Sequence, residues 1–112
     1  MMDKKTNLKI NYILNAPILT DWGVYEFFEY NPEKISLDLT DAKSAIGHKS
    51  TAMFLSQILG VSIKFNRVRI NMEINDVALI FRLRERPPEG KVFSEEELKN
   101  SEYILGILRR IK

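Results

Sequence analysis

Gly47-His48-Lys49-Ser50-Thr51-Ala52-Met53-Phe54-Leu55-Ser56-Gln57-Ile58-Leu59-Gly60 is the stretch whose reading decides the fold. Ala52, Leu55, Ile58 and Leu59 recur at the spacing of one buried helical face, and Gly60 stands where a helix stops. Upstream, Leu8-Lys9-Ile10-Asn11-Tyr12-Ile13-Leu14-Asn15 alternates, with Leu8, Ile10, Tyr12 and Leu14 on one side, which predicts a first strand. It ends at Asn15-Ala16-Pro17, because a proline cannot donate to a ladder. Val24 to Tyr30 is rich in aromatic residues and predicts a second strand, stopped by Asn31-Pro32.

From Glu33 to Ala45 two signals conflict. Ile35, Leu37 and Leu39 alternate as in a strand, whereas Thr40-Asp41-Ala42-Lys43 reads as the start of a helical turn. Downstream of the helix, Arg67 to Ile74 alternates polar and apolar, as does part of Val77 to Leu83, and Asn75-Asp76 between them predicts a hairpin turn. The charged loop Arg84-Glu85-Arg86-Pro87-Pro88-Glu89-Gly90-Lys91 follows, its two prolines excluding helix and central strand. Ser94 and Glu97 have capping-box spacing for a short helix, and Tyr103 to Ile111 reads as a last strand. A helix set among strands in this order predicts an α/β fold, a mixed β-sheet of about five strands with flanking helices. With 112 residues, 45% of them hydrophobic, it is expected to be a single domain over residues 1–112.

Composition narrows the chemistry. The chain has no cysteine, which excludes thiolate metal centres and a cysteine nucleophile and fits a reducing cytoplasm. A formal charge of +2 is far below that of a polybasic binder, so long nucleic acid, DNA included, is not indicated. A small phosphorylated ligand held by a few placed cations fits better. The N-terminus lacks the apolar stretch of a signal peptide and no apolar run approaches ~18 residues, so no membrane partner is expected. One histidine and no paired acidic motif argue against zinc or a two-metal nuclease centre; no metal or cofactor is expected. P-loop, dinucleotide-fold and GxSxG signatures are absent as well.

His48 is the default candidate for proton transfer, since histidine is the side chain whose ordinary titration lies nearest neutral pH. Its place at the start of a helix adds to this. Gly47 permits close approach of a ligand, and the first-turn N–H groups near Lys49, Ser50 and Thr51, with the two hydroxyls, make an anion site. Arg67 opens an alternating segment, with Arg69 on the same side. Arg86 is suited to bidentate phosphate contact, and Glu89 to orienting a hydroxyl or pairing with Arg86. Tyr25, Phe27, Phe28 and Tyr30 are suited to base stacking, although aromatic residues in a strand more often serve the core.

Ile46-Gly47-His48-Lys49-Ser50-Thr51, Asn66-Arg67-Val68 and Arg86-Pro87-Pro88-Glu89-Gly90-Lys91, with Leu14-Asn15-Ala16 before them, together resemble one family. It is that of the anti-CRISPR ring nucleases of archaeal viruses and phages, with their cellular relatives. The resemblance implies a homodimer that binds cyclic tetra-adenylate and cuts it without a metal. By the same resemblance His48 is catalytic, Arg67 and Arg86 handle ligand or phosphate, Glu89 supports catalysis and Asn15 contacts the ligand. The chain departs from that pattern at Pro17-Ile18, where the family carries a serine whose hydroxyl contact Thr20 would have to replace, at Lys49, where it carries an acidic residue, and at Pro87-Pro88. The competing expectations are a non-catalytic protein that sequesters a cyclic nucleotide, and a dimeric protein-interaction module. The latter would leave His48 far from the Arg86 loop.

Overall fold

Val77 to Phe81 are five consecutive buried apolar residues, and such a run belongs in a strand covered on both faces. In the computed structural model, which describes residues 5–15, 21–84 and 93–112, they lie in the middle of a five-stranded mixed sheet. In chain order the elements are β1 (Thr6–Lys9), β2 (Tyr12–Leu14), β3 (Tyr25–Glu29), β4 (Ile35–Asp38), β5 (Lys43–Ser44), α1 (Lys49–Leu59), β6 (Val77–Leu83), α2 (Glu95–Lys99) and β7 (Tyr103–Arg110). The sheet order is β3-β7-β6-β2-β5, and β1 and β4 form a separate parallel pair. β6 runs antiparallel to β7 and parallel to β2, which is itself parallel to β5. The expected mixed α/β architecture is therefore present.

Alternate residues of β6 serve two cores. Leu79 and Phe81 pack with Ala52, Phe54 and Leu55 of α1, while Ala78 and Ile80 pack with Leu14, Met72 and Leu108 on the opposite face. α1 ends at Gly60, whose φ of 71° is left-handed and favours glycine. Its buried face differs from the expected one. Phe54 is inside, its ring edge-on to Phe81 and Tyr103, whereas Ile58 is substantially exposed. The Ser94–Glu97 capping box of α2 is formed in both directions.

The first strand is split. Leu8 and Ile10 face the α1-side core, and so does Ile13, whereas Tyr12 and Leu14 face the other core. The alternation changes phase at Asn11, where the chain passes from the β1–β4 pair into the main sheet. There Asn11 exchanges hydrogen bonds with Val77, its N–H donating to the Val77 carbonyl (2.8 Å) and its Oδ1 accepting from the Val77 N–H (2.9 Å). Between Glu33 and Ala45 the strand signal prevails, giving β4 and β5 around a turn at Thr40-Asp41.

The expected hairpin is only half right. Asn75 adopts a positive φ of 75°, and the Asp76 carboxylate accepts from the Glu73 N–H (2.9 Å), so the turn exists. Residues 67–74 form no strand beside β6, because β2 and β7 already occupy both of its edges. That segment instead lies over the sheet, burying Met72 and half-burying Ile70. Arg110 of β7 holds it there, donating to the Met72 carbonyl (2.5 Å) and to the Trp22 carbonyl (3.1 Å).

One pH-dependent feature sits in the turn after β4. The Thr40 hydroxyl donates to the Asp38 carboxylate (2.6 Å) and the Thr40 N–H adds a second bond (3.1 Å), holding the Asp38 pKa below its ordinary value. A depressed carboxylate pKa contributes stability that is present above its unfolded value and lost as pH falls through the folded one. In Thr40→Val, the Asp38 titration followed by NMR is expected to move up toward the ordinary carboxylate value. An unmoved curve would deny the hydroxyl this role.

Candidate functional site

Parallel strands deliver their carboxyl ends to the same end of a sheet, and in open α/β sheets that is where ligands gather. Here β5, β2 and β6 are the parallel set. The residue following β2 is Asn15; β5 is followed by Ala45, Ile46, Gly47 and His48; β6 runs into Arg84 and the charged loop. Three of the stretches singled out by their residues thus leave the sheet at one end. Arg86, Glu89 and Lys91 themselves, and Thr20, lie outside the described residues.

Arg67 comes from another part of the chain and is brought in by a clamp. The Ser44 hydroxyl donates to the Lys64 carbonyl (2.6 Å), Asn66 Nδ2 donates to the Ser44 carbonyl (2.8 Å), and the Asn66 N–H donates to the Ile46 carbonyl (2.9 Å). A parallel bridge joins Ile46 to Phe65. The clamp lays Arg67 beside Gly47, where an added Cβ would stand 3.7 Å from Arg67 Nε. That is ordinary contact, and Gly47 has no positive φ, so the backbone does not demand glycine at this position. What glycine leaves is room over the Arg67 side chain. Asn66→Ala removes the amide that ties Ser44 to this turn and is expected to cost about 1–2 kcal/mol, read from urea unfolding.

His48 is the N-cap residue of α1, with extended backbone (φ −130°, ψ 126°), and its carbonyl accepts the Ala52 N–H (3.0 Å). Among the described residues no side chain caps the helix. The N–H groups of Lys49, Ser50 and Thr51 therefore remain as donors at the positive end of the helix dipole. The half-buried His48 imidazole makes no hydrogen bond to a described residue, and the first turn carries no acidic side chain to compete with an anion.

The two hydroxyls expected to meet a ligand have other surroundings. Ser50 Oγ donates to the Phe93 carbonyl (2.6 Å), and Thr51 is only 6% exposed. What they offer an anion is their main-chain N–H groups. The Ser50 bond has a second consequence, because Phe93 is where the chain returns from the charged loop. Phe93 is thereby fastened to the first turn of α1, two residues on from His48.

Asn15 and Arg67 share a cleft of about 420 Å³ with Leu14, Ala45, Val68, Arg69 and Ile70. Leu14, Ala45, Val68 and Ile70 make its walls mostly apolar and Asn15, Arg67 and Arg69 are its polar groups, the ordinary composition of a small-molecule site. Sequence reasoning missed Leu14 and Ala45, whose apolar character reads as core. Arg69 is visible in the sequence as a neighbour of Arg67 two residues on, but reads equally well as a solvated face. Among the described residues no three His, Cys, Asp or Glu side chains are grouped so as to hold a metal ion, and no helix is long and apolar enough to cross a membrane.

Comparison with known proteins shows the family and the fold. A family described as STIV B116-like matches residues 11–105. The uncharacterized protein YddF of Bacillus subtilis is 35% identical over 107 residues, covering 88% of this chain and 94% of its own length. The uncharacterized protein ORF116 of Acidianus filamentous virus 1 is 33% identical over 94 residues, covering 79% of this chain and 81% of its own. Among solved structures, B116 of Sulfolobus turreted icosahedral virus superposes with a TM-score of 0.61 over 89% of this chain and 98% of that one, at 22% identity, a likeness of fold.

Proposed function

The chain belongs to the STIV B116-like family, and from that premise we propose that it is a metal-independent ring nuclease acting on cyclic tetra-adenylate. The observation that supports the reading is the placement of Asn15, Gly47, His48 and Arg84 after the carboxyl ends of three parallel strands, with Arg67 clamped beside Gly47. This is a cationic, donor-rich end of the molecule with one imidazole in it.

RNA carries its own nucleophile. A 2′-hydroxyl aligned with the neighbouring phosphodiester attacks phosphorus and loses its proton to water, the bond to the 5′-oxygen breaks, and a 2′,3′-cyclic phosphate remains. The protein's work is alignment and charge. Protonated His48 gives its proton to the departing 5′-oxygen, the N–H groups of Lys49, Ser50 and Thr51 with Arg67 and Arg86 stabilise the phosphorane-like state, and Glu89 supports the reacting groups. The 420 Å³ cleft beside Asn15 and Arg67 takes an adenine. A ring of four identical nucleotides has a two-fold axis, as does a homodimer, so two copies present two sites to opposite phosphodiesters and release linear di-adenylate.

The test is incubation with cyclic tetra-adenylate in excess EDTA, with chromatographic separation of ring from products. Linear di-adenylate ending in a cyclic phosphate is the expected outcome. Ring bound tightly but recovered intact would make the protein a sequestering one, and ring neither bound nor cut would remove the nucleotide from the account.

A further inference from the structure

Of the four aromatic residues at β3 that stand out in the sequence, three are engaged by the fold. The Arg110 guanidinium lies 5.9 Å from the centre of the Tyr25 ring. Tyr30 donates to the Ile35 carbonyl and packs on the α1-side core, and Phe28, opposite Ile107, faces that same side. Phe27 is opposite Leu108 and so faces the other way, where Ile70 and Met72 pack with Leu14, Ala78, Ile80 and Leu108. Next to that packed area is a cleft of about 580 Å³ whose lining includes Phe27, Glu29, Arg82, Ile104 and Gly106. A glycine inside a strand marks a close approach, and here it is that of the Phe27 ring, with which a Cβ on Gly106 would collide. The ring therefore lies down against the sheet, yet Phe27 remains 42% exposed.

Two opposite charges flank that ring. Glu29 of β3 is in register with Gly106, and Arg82 of β6 with Ile104, two residues earlier on β7. Their Cα atoms are thus two strand spacings apart across the sheet and two residues apart along it, roughly 12 Å. Among the described residues neither side chain makes a hydrogen bond or an ion pair, whereas Arg84, the next cation on this face, is paired with Glu102 (3.7 Å). A guanidinium, an open aromatic face and a carboxylate around one cleft select a ligand with an anion at one end, a flat ring, and N–H donors at the other.

We propose that this cleft binds a guanine mononucleotide, its base stacked on Phe27, its Watson–Crick edge on Glu29 and its phosphate on Arg82. Stacking accepts any base, so the choice of base falls to the carboxylate, which only accepts hydrogen bonds. Guanine offers it two adjacent donors, N1–H and the N2 amino group. Adenine would set the N1 lone pair against it, and cytosine the N3 lone pair. Arg82 meets the phosphate with the planar fork suited to it. One nucleotide is the occupant because a second phosphate would find only Arg84, already paired with Glu102. The site is independent of the nuclease reading: it lies over β3, β7 and β6, whereas the cleft beside Asn15 lies at the ends of β2 and β5.

The test is titration of the full chain with GMP and, separately, AMP, followed residue by residue through the amide NMR spectrum. GMP is expected to move the amides of Phe27, Ile104 and Gly106 and to bind at least about tenfold more tightly there than AMP, the size of one lost bond to a charged group. Arg82→Ala is expected to weaken GMP by about 10- to 100-fold on the same scale. Glu29→Gln, whose amide both donates and accepts, is expected to bring the two nucleotides to similar affinity. Both side chains are exposed, so the variants keep the fold, which the same spectra verify. No movement at these amides up to ~10 mM GMP, equal affinity for GMP and AMP in the natural chain, or a folded Arg82→Ala of unaltered affinity each overturns the proposal. AMP seated beside Asn15 is told apart by the amides it moves. Neither probe is cyclic tetra-adenylate, so failure here leaves the nuclease reading standing, and failure of that reading leaves this site standing.

Discussion

Replacing His48 with alanine is expected to slow ring opening by about 10²- to 10⁴-fold while leaving the affinity for cyclic tetra-adenylate nearly unchanged, the share ordinarily supplied by a general acid. The split between rate and affinity follows from position. His48 occupies the N-cap of α1 without serving as its cap by side chain, so removing the imidazole leaves the helix start, its N–H donors and Arg67 where they are. In the proposed mechanism binding falls to those groups and the proton to the imidazole. The measurement is single-turnover cleavage beside equilibrium binding of the same ring. Cleavage at the unaltered rate would take the general-acid role from His48. Loss of binding to the same degree as loss of rate would make His48 a ligand contact instead.

Phe54→Ala is expected to have the largest effect on stability, about 3–5 kcal/mol, the usual range for truncating a buried phenylalanine. Phe54 is 4% exposed, and its ring meets Phe81 edge-on at 6.0 Å between centroids and Tyr103 at 5.4 Å. Those partners belong to β6 and β7, so this one side chain fastens α1 to the middle of the sheet. A domain of this size has a total stability of roughly 5–15 kcal/mol, of which such a loss is a large part. Urea unfolding reads it directly. Phe54→Leu, which keeps most of the apolar volume, is expected to recover much of the difference, whereas a loss under 1 kcal/mol in the alanine variant would place the attachment of α1 elsewhere.

Much of the fold is legible where local pattern and tertiary environment agree. The helix from Lys49 to Gly60, the capping box at Ser94, and the strands at Tyr25, Val77 and Tyr103 are marked by periodicity, turn chemistry and aromatic content, all of which act within a few residues. Arg67 to Ile74 shows the limit. Its alternation is real, since Ile70 and Met72 do turn toward the core, but alternation cannot say whether a strand edge is free to receive the segment. Both edges of β6 were taken, and Arg110, distant in sequence, holds the segment over the sheet face. The phase change at Asn11 is of the same kind, visible only once Val77 is known to be its partner.

For the site, the sequence by itself determined which residues are the candidates. It supplied one imidazole at a helix start, a few arginines, a proline-stiffened charged loop, and no thiol. Only the tertiary structure decided that Asn15, His48 and that loop leave the sheet at one end, that Ser44 and Asn66 clamp Arg67 beside Gly47, and that Ser50 spends its hydroxyl on Phe93 rather than on a ligand. The physical reason is that residue chemistry is local, whereas convergence depends on the parallel pairing of β5, β2 and β6 and on hydrogen bonds spanning 20 to 43 residues. His48 was legible as a candidate from its type and its place before a helix; how Asn15 and Arg67 stand around it became legible only through the sheet.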